Sequence, residues 1–140
     1  MIKKILISGL ISLSIASSAS AMDLKEGMNT LSGTLYEIQR GFLTNDKVLT
    51  QDSLTKFKKD IDSMLGDKQT ITDLLPEDTK HKASIAINSA KMIDKSIADI
   101  QKVLADKNMR MINRQMKSQK AFLEIQKQCF RCHNLVRDWQ

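Results

Sequence analysis

Apolar residues recur at steps of three and four in four separate stretches of this chain. The first runs Leu24, Met28, Leu31, Leu35, Ile38, Phe42, and the second Leu54, Phe57, Ile61, Met64. The third is Ala83, Ala86, Ala90, Ile93, Ile97, Ile100, Leu104. The fourth is Met109, Ile112, Met116, Gln119, Phe122, Gln126, Cys129, His133, with Phe130 and Val136 beside it. At 3.6 residues per turn these positions share one face, so each stretch reads as an amphipathic helix with a buried seam. Strand-like alternation is absent, and the single proline, Pro76, interrupts none of the seams. Four such helices with short links pack most simply as an all-α, antiparallel up-down-up-down four-helix bundle.

Local signals set the expected boundaries. Asp23 is placed to cap the first helix, with Glu26 three residues on as in a capping box, and the helix should reach Leu43. Thr44-Asn45-Asp46 is a turn, with Asn45 the expected cap of the second helix, and Gly66 ends that helix. Asp67 to Leu75 is the longest non-periodic connection. Pro76 opens the third helix, followed by Glu77 and Asp78, which suit the positive end of the helix dipole. Asp106 to Asn108 is a tight link, and the fourth helix is expected from about Met109 to Asp138. Gly27 and Gly33 each weaken the first helix by about 1 kcal/mol relative to Ala. They either admit a close neighbour or a flat ligand, or are simply tolerated.

Residues 1–21 read as an export signal rather than as fold. Lys3 and Lys4 form a basic start, Ile5 to Ala16 an apolar core, and Ala19-Ser20-Ala21 a cleavage site. The apolar run is too short and too serine-rich to span a membrane. Residues 22–140 then form one domain in the periplasm, with no membrane span after signal removal. Loss of Lys3 and Lys4 leaves 20 basic against 16 acidic residues, a net charge of +4. The basic residues are dispersed and have no aromatic interleaving, which excludes a nucleic-acid reading.

Both cysteines and one of the two histidines fall in one run, Cys129-Phe130-Arg131-Cys132-His133. This is the C-x-x-C-H pattern that attaches haem c. No Pro or Gly lies between Lys120 and Gln140, so a helix can pass through the run and place all three residues on one face. Two thiols can then tether one haem edge while the imidazole of His133 binds iron. A thioredoxin-like site requires a βαβ setting that this sequence lacks. Cys129, Cys132, His133 and His81 total four possible zinc ligands, but zinc favours two separated ligand pairs, and Cys132 and His133 are adjacent.

In an antiparallel bundle the start of the first helix lies beside the end of the fourth. His133 is seven residues from the C-terminus and Met28 six from the start of the exported chain. At 1.5 Å per residue both sit on the order of 10 Å from the same end of the bundle. Met28 is therefore a candidate second iron ligand, or equally an ordinary seam residue, since methionine readily fills irregular gaps. Met64, two residues from Gly66, reads as pocket wall, and His81 as a surface residue turned away from the Ala83 seam.

A C-x-x-C-H run near the end of a four-helix bundle resembles the class II c-type cytochromes, cytochrome c-prime and its low-spin relatives. Cys129, Cys132 and His133 are the specific part of that resemblance. Asp23-Leu24-Lys25-Glu26-Gly27-Met28-Asn29-Thr30-Leu31 and Asp52-Ser53-Leu54-Thr55-Lys56 are similar to the first two helices of the periplasmic four-helix cytochrome b. Together these resemblances imply one covalently attached haem c, with His133 as proximal and Met28 as distal iron ligand. A closed His/Met site implies electron transfer with redox partner proteins rather than enzymatic catalysis. Cytochrome c-prime members carry an apolar residue in place of Met28 and leave iron open to nitric oxide or carbon monoxide, which is the alternative function. They also often pair through their first two helices, so a homodimer is possible. Arg131 and Arg137 are candidates for haem propionates or a docking rim, Lys127 reads as a solvated charge, and Trp139 either covers the haem edge or anchors the terminal helix.

Overall fold

The computed structural model describes residues 24–136, with side chains as far as Asn134. The export signal, the Asp23 cap, Arg137 and Trp139 lie outside the described residues. The described residues are all-helical, with no strand among them. Five α-helices and one 3₁₀ segment follow in order: α1 (Leu24–Leu43), α2 (Lys47–Leu65), α3 (Lys68–Leu74), the 3₁₀ turn Glu77–Lys82, α4 (Ala83–Ala105) and α5 (Met111–Val136).

The expected non-periodic connection contains α3, a helix the seams did not announce. Asp67 caps it, accepting a hydrogen bond from the Thr70 amide at 2.9 Å. The helix has only two turns, too short to display a seam, and it buries Ile71. The residues after Pro76 form a 3₁₀ turn rather than the start of the next helix, which begins at Ala83. At the first turn the cap is Asp46, not Asn45. The Asp46 carboxylate accepts from the Leu49 amide at 2.9 Å. Asn45 instead takes a left-handed backbone with φ 60°, which ends α1.

The α1, α2 and α4 seams are buried as expected. Leu31, Ile38, Leu54, Phe57, Ile61, Met64 and all seven α4 seam residues from Ala83 to Leu104 form one core, with Leu24, Met28, Leu35 and Phe42 partly buried against it. The α5 seam is shifted in its first half. Ile112, Met116 and Gln119 are exposed, and the inward row is Ser118, Phe122, Ile125 and Gln128. Arg114 accounts for part of this rotation. Its guanidinium donates back to the carbonyls of Asp106 and Met109, pinning that side of α5 to the preceding turn. Small Ser118, fully buried, then faces the core where a larger residue was expected.

The backbones pair unevenly. α1 packs closely along α2, and α4 along α5, while α2 also meets α4. At the α1–α2 junction an added Cβ on Gly41 would overlap Thr50 Oγ1, so the glycine permits the close approach. Gly33 has open space around it and serves no such purpose. Lys58 links α2 to α4 through Asp94 at 2.6 Å, an exposed pair of small energetic weight. By contrast, α1 and α5 make few close backbone approaches. Side chains bridge them: the rings of Phe42 and Phe122 meet edge-on, and Gln115 donates to Asn45 in the turn after α1. Phe42 precedes Asn45 in the chain while Phe122 follows Gln115, so the contacts run in opposite senses along the two segments.

Candidate functional site

The wide spacing of α1 and α5 leaves a cavity of about 260 Å³ between them. α1 supplies Met28, Leu31, Ser32 and Leu35, and α5 supplies Gln126, Cys129, Phe130 and His133. Phe57, Ile61 and Leu65 of α2 and Ile93 of α4 close its inner side. Met28 and His133, assigned from opposite ends of the sequence, thus line one space together with Cys129. Among the described residues, no Asp, Glu, Lys or Arg lines it.

Helix periodicity fixes how α5 presents the run. Cys129 is one turn beyond Ile125, the fully buried anchor of the helix, so its thiol is directed inward. Both cysteines are partly buried against the core and neither is in a disulfide. Burial pushes the Cys129 thiol up to about 11, helped by the neighbouring Cys132 thiol. Burial raises the Cys132 thiol as well. Both are therefore protonated at neutral pH. Cys132 does not line the cavity, and His133 is exposed at its mouth. Beside the run, Gln128 is buried and donates to Glu124 at 2.6 Å, with its own carbonyl oxygen unpartnered.

Some expected participants are elsewhere. Met64 is buried in the core, and its neighbour Leu65 lines the cavity instead. His81 is exposed on the 3₁₀ turn and away from the cavity. Among the described residues no group of three or more His, Cys, Asp or Glu side chains is placed to hold a metal ion, so the four-ligand zinc arrangement is not assembled. Lys127 pairs with Glu124, and Arg131 is exposed. Phe57 and Ile93 are wall residues that the sequence marked only as seam positions, and Ser32 is one that it did not single out.

The cavity lining brings together one thiol, Cys129, one imidazole, His133, and one thioether, Met28. Thiols, an imidazole and a thioether are the ligand types that iron porphyrins take from proteins, and the apolar wall suits a hydrophobic macrocycle. A smaller cavity of about 170 Å³, reached by Phe42, Thr50, Leu104, Arg114 and Ser118, has a thioether in Met111 but no thiol or imidazole among the described residues. No described helix is long and apolar enough to cross a membrane. No protein family, curated protein or solved structure is matched by the chain.

Proposed function

We propose that this chain is an exported c-type cytochrome of the periplasm, with one covalently attached haem, that transfers electrons between redox partner proteins. In this reading the four long helices form an up-down-up-down bundle, with α3 and the 3₁₀ turn as an elaborated link between its halves. The observation that carries the reading is that Met28, Cys129 and His133 line one cavity.

Cys129 in the lining, and Cys132 beside it on α5, would hold the group, each thiol adding its S–H across one haem vinyl group to give a thioether. The His133 imidazole and the Met28 sulfur would supply one iron ligand each. Bound there, the haem supplies a one-electron couple, and methionine ligation raises its potential. Leu31, Leu35, Phe57, Ile61 and Ile93 keep water from the inner face. Among the described residues the titratable groups of the lining are His133 and Cys129, and in this reading both would be engaged by the haem and unavailable for proton transfer. The site is thus equipped for electron exchange rather than for turnover of a substrate. The likeness to class II c-type cytochromes supports the same reading.

The test is a pyridine haemochrome assay on protein exported alongside a haem-attachment system. A haem c spectrum is expected, and its loss in Cys129→Ala/Cys132→Ala. A chain exported without haem overturns the proposal. Ferrous spectra then separate electron transfer from gas binding. A low-spin form indifferent to carbon monoxide supports the shuttle, whereas a high-spin form that binds it promptly assigns the gas-binding role instead.

A further inference from the structure

The smaller cavity gathers two buried polar atoms that have no partner. Ser118 lies fifteen residues before His133 on α5, about 22 Å along the helix. Its side chain is 0% exposed, and its hydroxyl makes no hydrogen bond. It does not take the bond to the carbonyl four residues back that a helical serine can make. The Nε of Arg114, one turn earlier on the same face, is likewise buried and unbonded. Only Nη2 of that guanidinium is engaged, with the Asp106 and Met109 carbonyls. Both residues line the cavity of about 170 Å³. A buried polar group left unmet costs free energy, so two of them on one cavity favour a polar ligand there.

The rest of the lining narrows the chemistry. Arg114 and Lys47 bring two positive charges and Asp46 one negative. The Asp46 carboxylate is already engaged, capping α2 through the Leu49 amide. Helix dipoles do not decide the sign, because α2 and α5 begin at this end of the bundle while α1 and α4 finish at it. The balance suits one negative charge rather than two. Phe42, Leu104 and Met111 add apolar wall. The volume equals several water shares of ~30 Å³ each, which is room for a carboxylate with a short alkyl end and too little for a macrocycle.

We propose that this cavity binds a small carboxylate. Its oxygens accept from the Arg114 Nε–H and the Ser118 hydroxyl, and its alkyl end rests against Phe42 and Leu104. The first of these hydrogen bonds is charge-assisted and carries most of the affinity. The second meets the hydroxyl that the fold itself leaves without a partner. The proposal does not depend on haem.

Thermal melts of the exported chain at neutral pH and fixed ionic strength test it, with acetate as the probe. Acetate should raise the melting temperature saturably, with a dissociation constant on the order of millimolar, as befits so small a ligand. Nitrate, which has the charge but no alkyl end, should act more weakly, and acetamide, which has the shape but no charge, should not act. Ser118→Ala removes the unmet hydroxyl. It should melt above the wild type without acetate, yet need ~10-fold more acetate for the same shift. Ser89→Ala is the control: Ser89 is 1% exposed with an equally unpartnered hydroxyl, but it lies outside this cavity's lining. Its response to acetate should match that of the wild type. Four outcomes overturn the proposal: no saturable response to acetate, an equal response to acetamide, nitrate as effective as acetate, or an acetate response unchanged in Ser118→Ala.

Discussion

Phe42 of α1 and Phe122 of α5 meet edge to face, with ring centroids 5.5 Å apart and planes at 60°. Between two helices whose backbones rarely approach, this pair is a principal side-chain clasp. Phe122 is 6% exposed, so Phe122→Ala removes a buried ring as well as the contact. The loss should be about 3 kcal/mol by chemical denaturation. A double-mutant cycle with Phe42→Leu should return a coupling of about 1 kcal/mol, and a coupling near zero would show the clasp to be incidental.

Met28 tests the iron-ligand assignment separately from haem attachment. Met28→Ala removes the thioether from the cavity wall without touching Cys129, Cys132 or His133. The haemochrome yield should persist. The ferrous spectrum should change from low-spin to high-spin, and carbon monoxide binding should appear. An unchanged low-spin spectrum would remove Met28 from the ligand set. The cost in stability should be about 2 kcal/mol, at the low end for a large-to-small change because the side chain is only partly buried.

The thiols give a pH signature in the haem-free chain. Burial holds Cys129 near 11 and also raises Cys132, so the reactive thiolate is scarce at neutral pH. Iodoacetamide should label the native chain far more slowly than the urea-unfolded chain at pH 8, and native labelling should climb as pH approaches 11. The unfolded thiols lose their protons first, from about 9. Stability from this source is therefore present below pH 9 and declines between about 9 and 11. Cys129→Ala should flatten that decline, and equal native and unfolded labelling rates at pH 8 would contradict the burial.

Two glycines of α1 should respond in opposite directions to the same substitution. Gly33→Ala adds a methyl in open space on an exposed helical position and should stabilise by about 0.5–1 kcal/mol. Gly41→Ala meets Thr50, whose hydroxyl is held by the Asp46 carbonyl at 2.7 Å. It should destabilise by about 1–3 kcal/mol, since α1 must move away from the start of α2. Thermal melts of the two variants, shifted in the same direction, would contradict this packing.

Much of the fold was legible because the α1, α2 and α4 seams are long and regular. Ile93, Ile97 and Ile100 repeat often enough to fix the inward face of α4 without knowledge of its neighbours. The early half of α5 was not legible in this way. Ile112 and Met116 have the right spacing for a core, but hydrophobicity does not distinguish a stripe that faces the interior from one that faces outward. The hydrogen bonds of Arg114 to a preceding turn, and the burial of a serine at position 118, are tertiary facts. α3 was missed because seven residues give too few repeats. At the site, Cys129 and His133 follow from the motif and Met28 from its level in the bundle. Leu65 displaced Met64 from the cavity wall because the end of α2 presents the neighbouring position there, and a rotation of one residue is below what spacing can resolve.

The uneven pairing of the helices has a bearing on how the chain acquires its shape. α1 with α2, and α4 with α5, are hairpins joined by short turns, so most close contacts connect segments near in sequence. Such low contact order favours rapid folding, with each hairpin able to form from its own residues. The α1–α5 seam joins the two helices most distant in sequence and carries the greatest loop-closure entropy, so it is expected to be the last to be secured. Its late closure leaves the thiols of α5 accessible for chemical modification in a chain that has already built both of its hairpins.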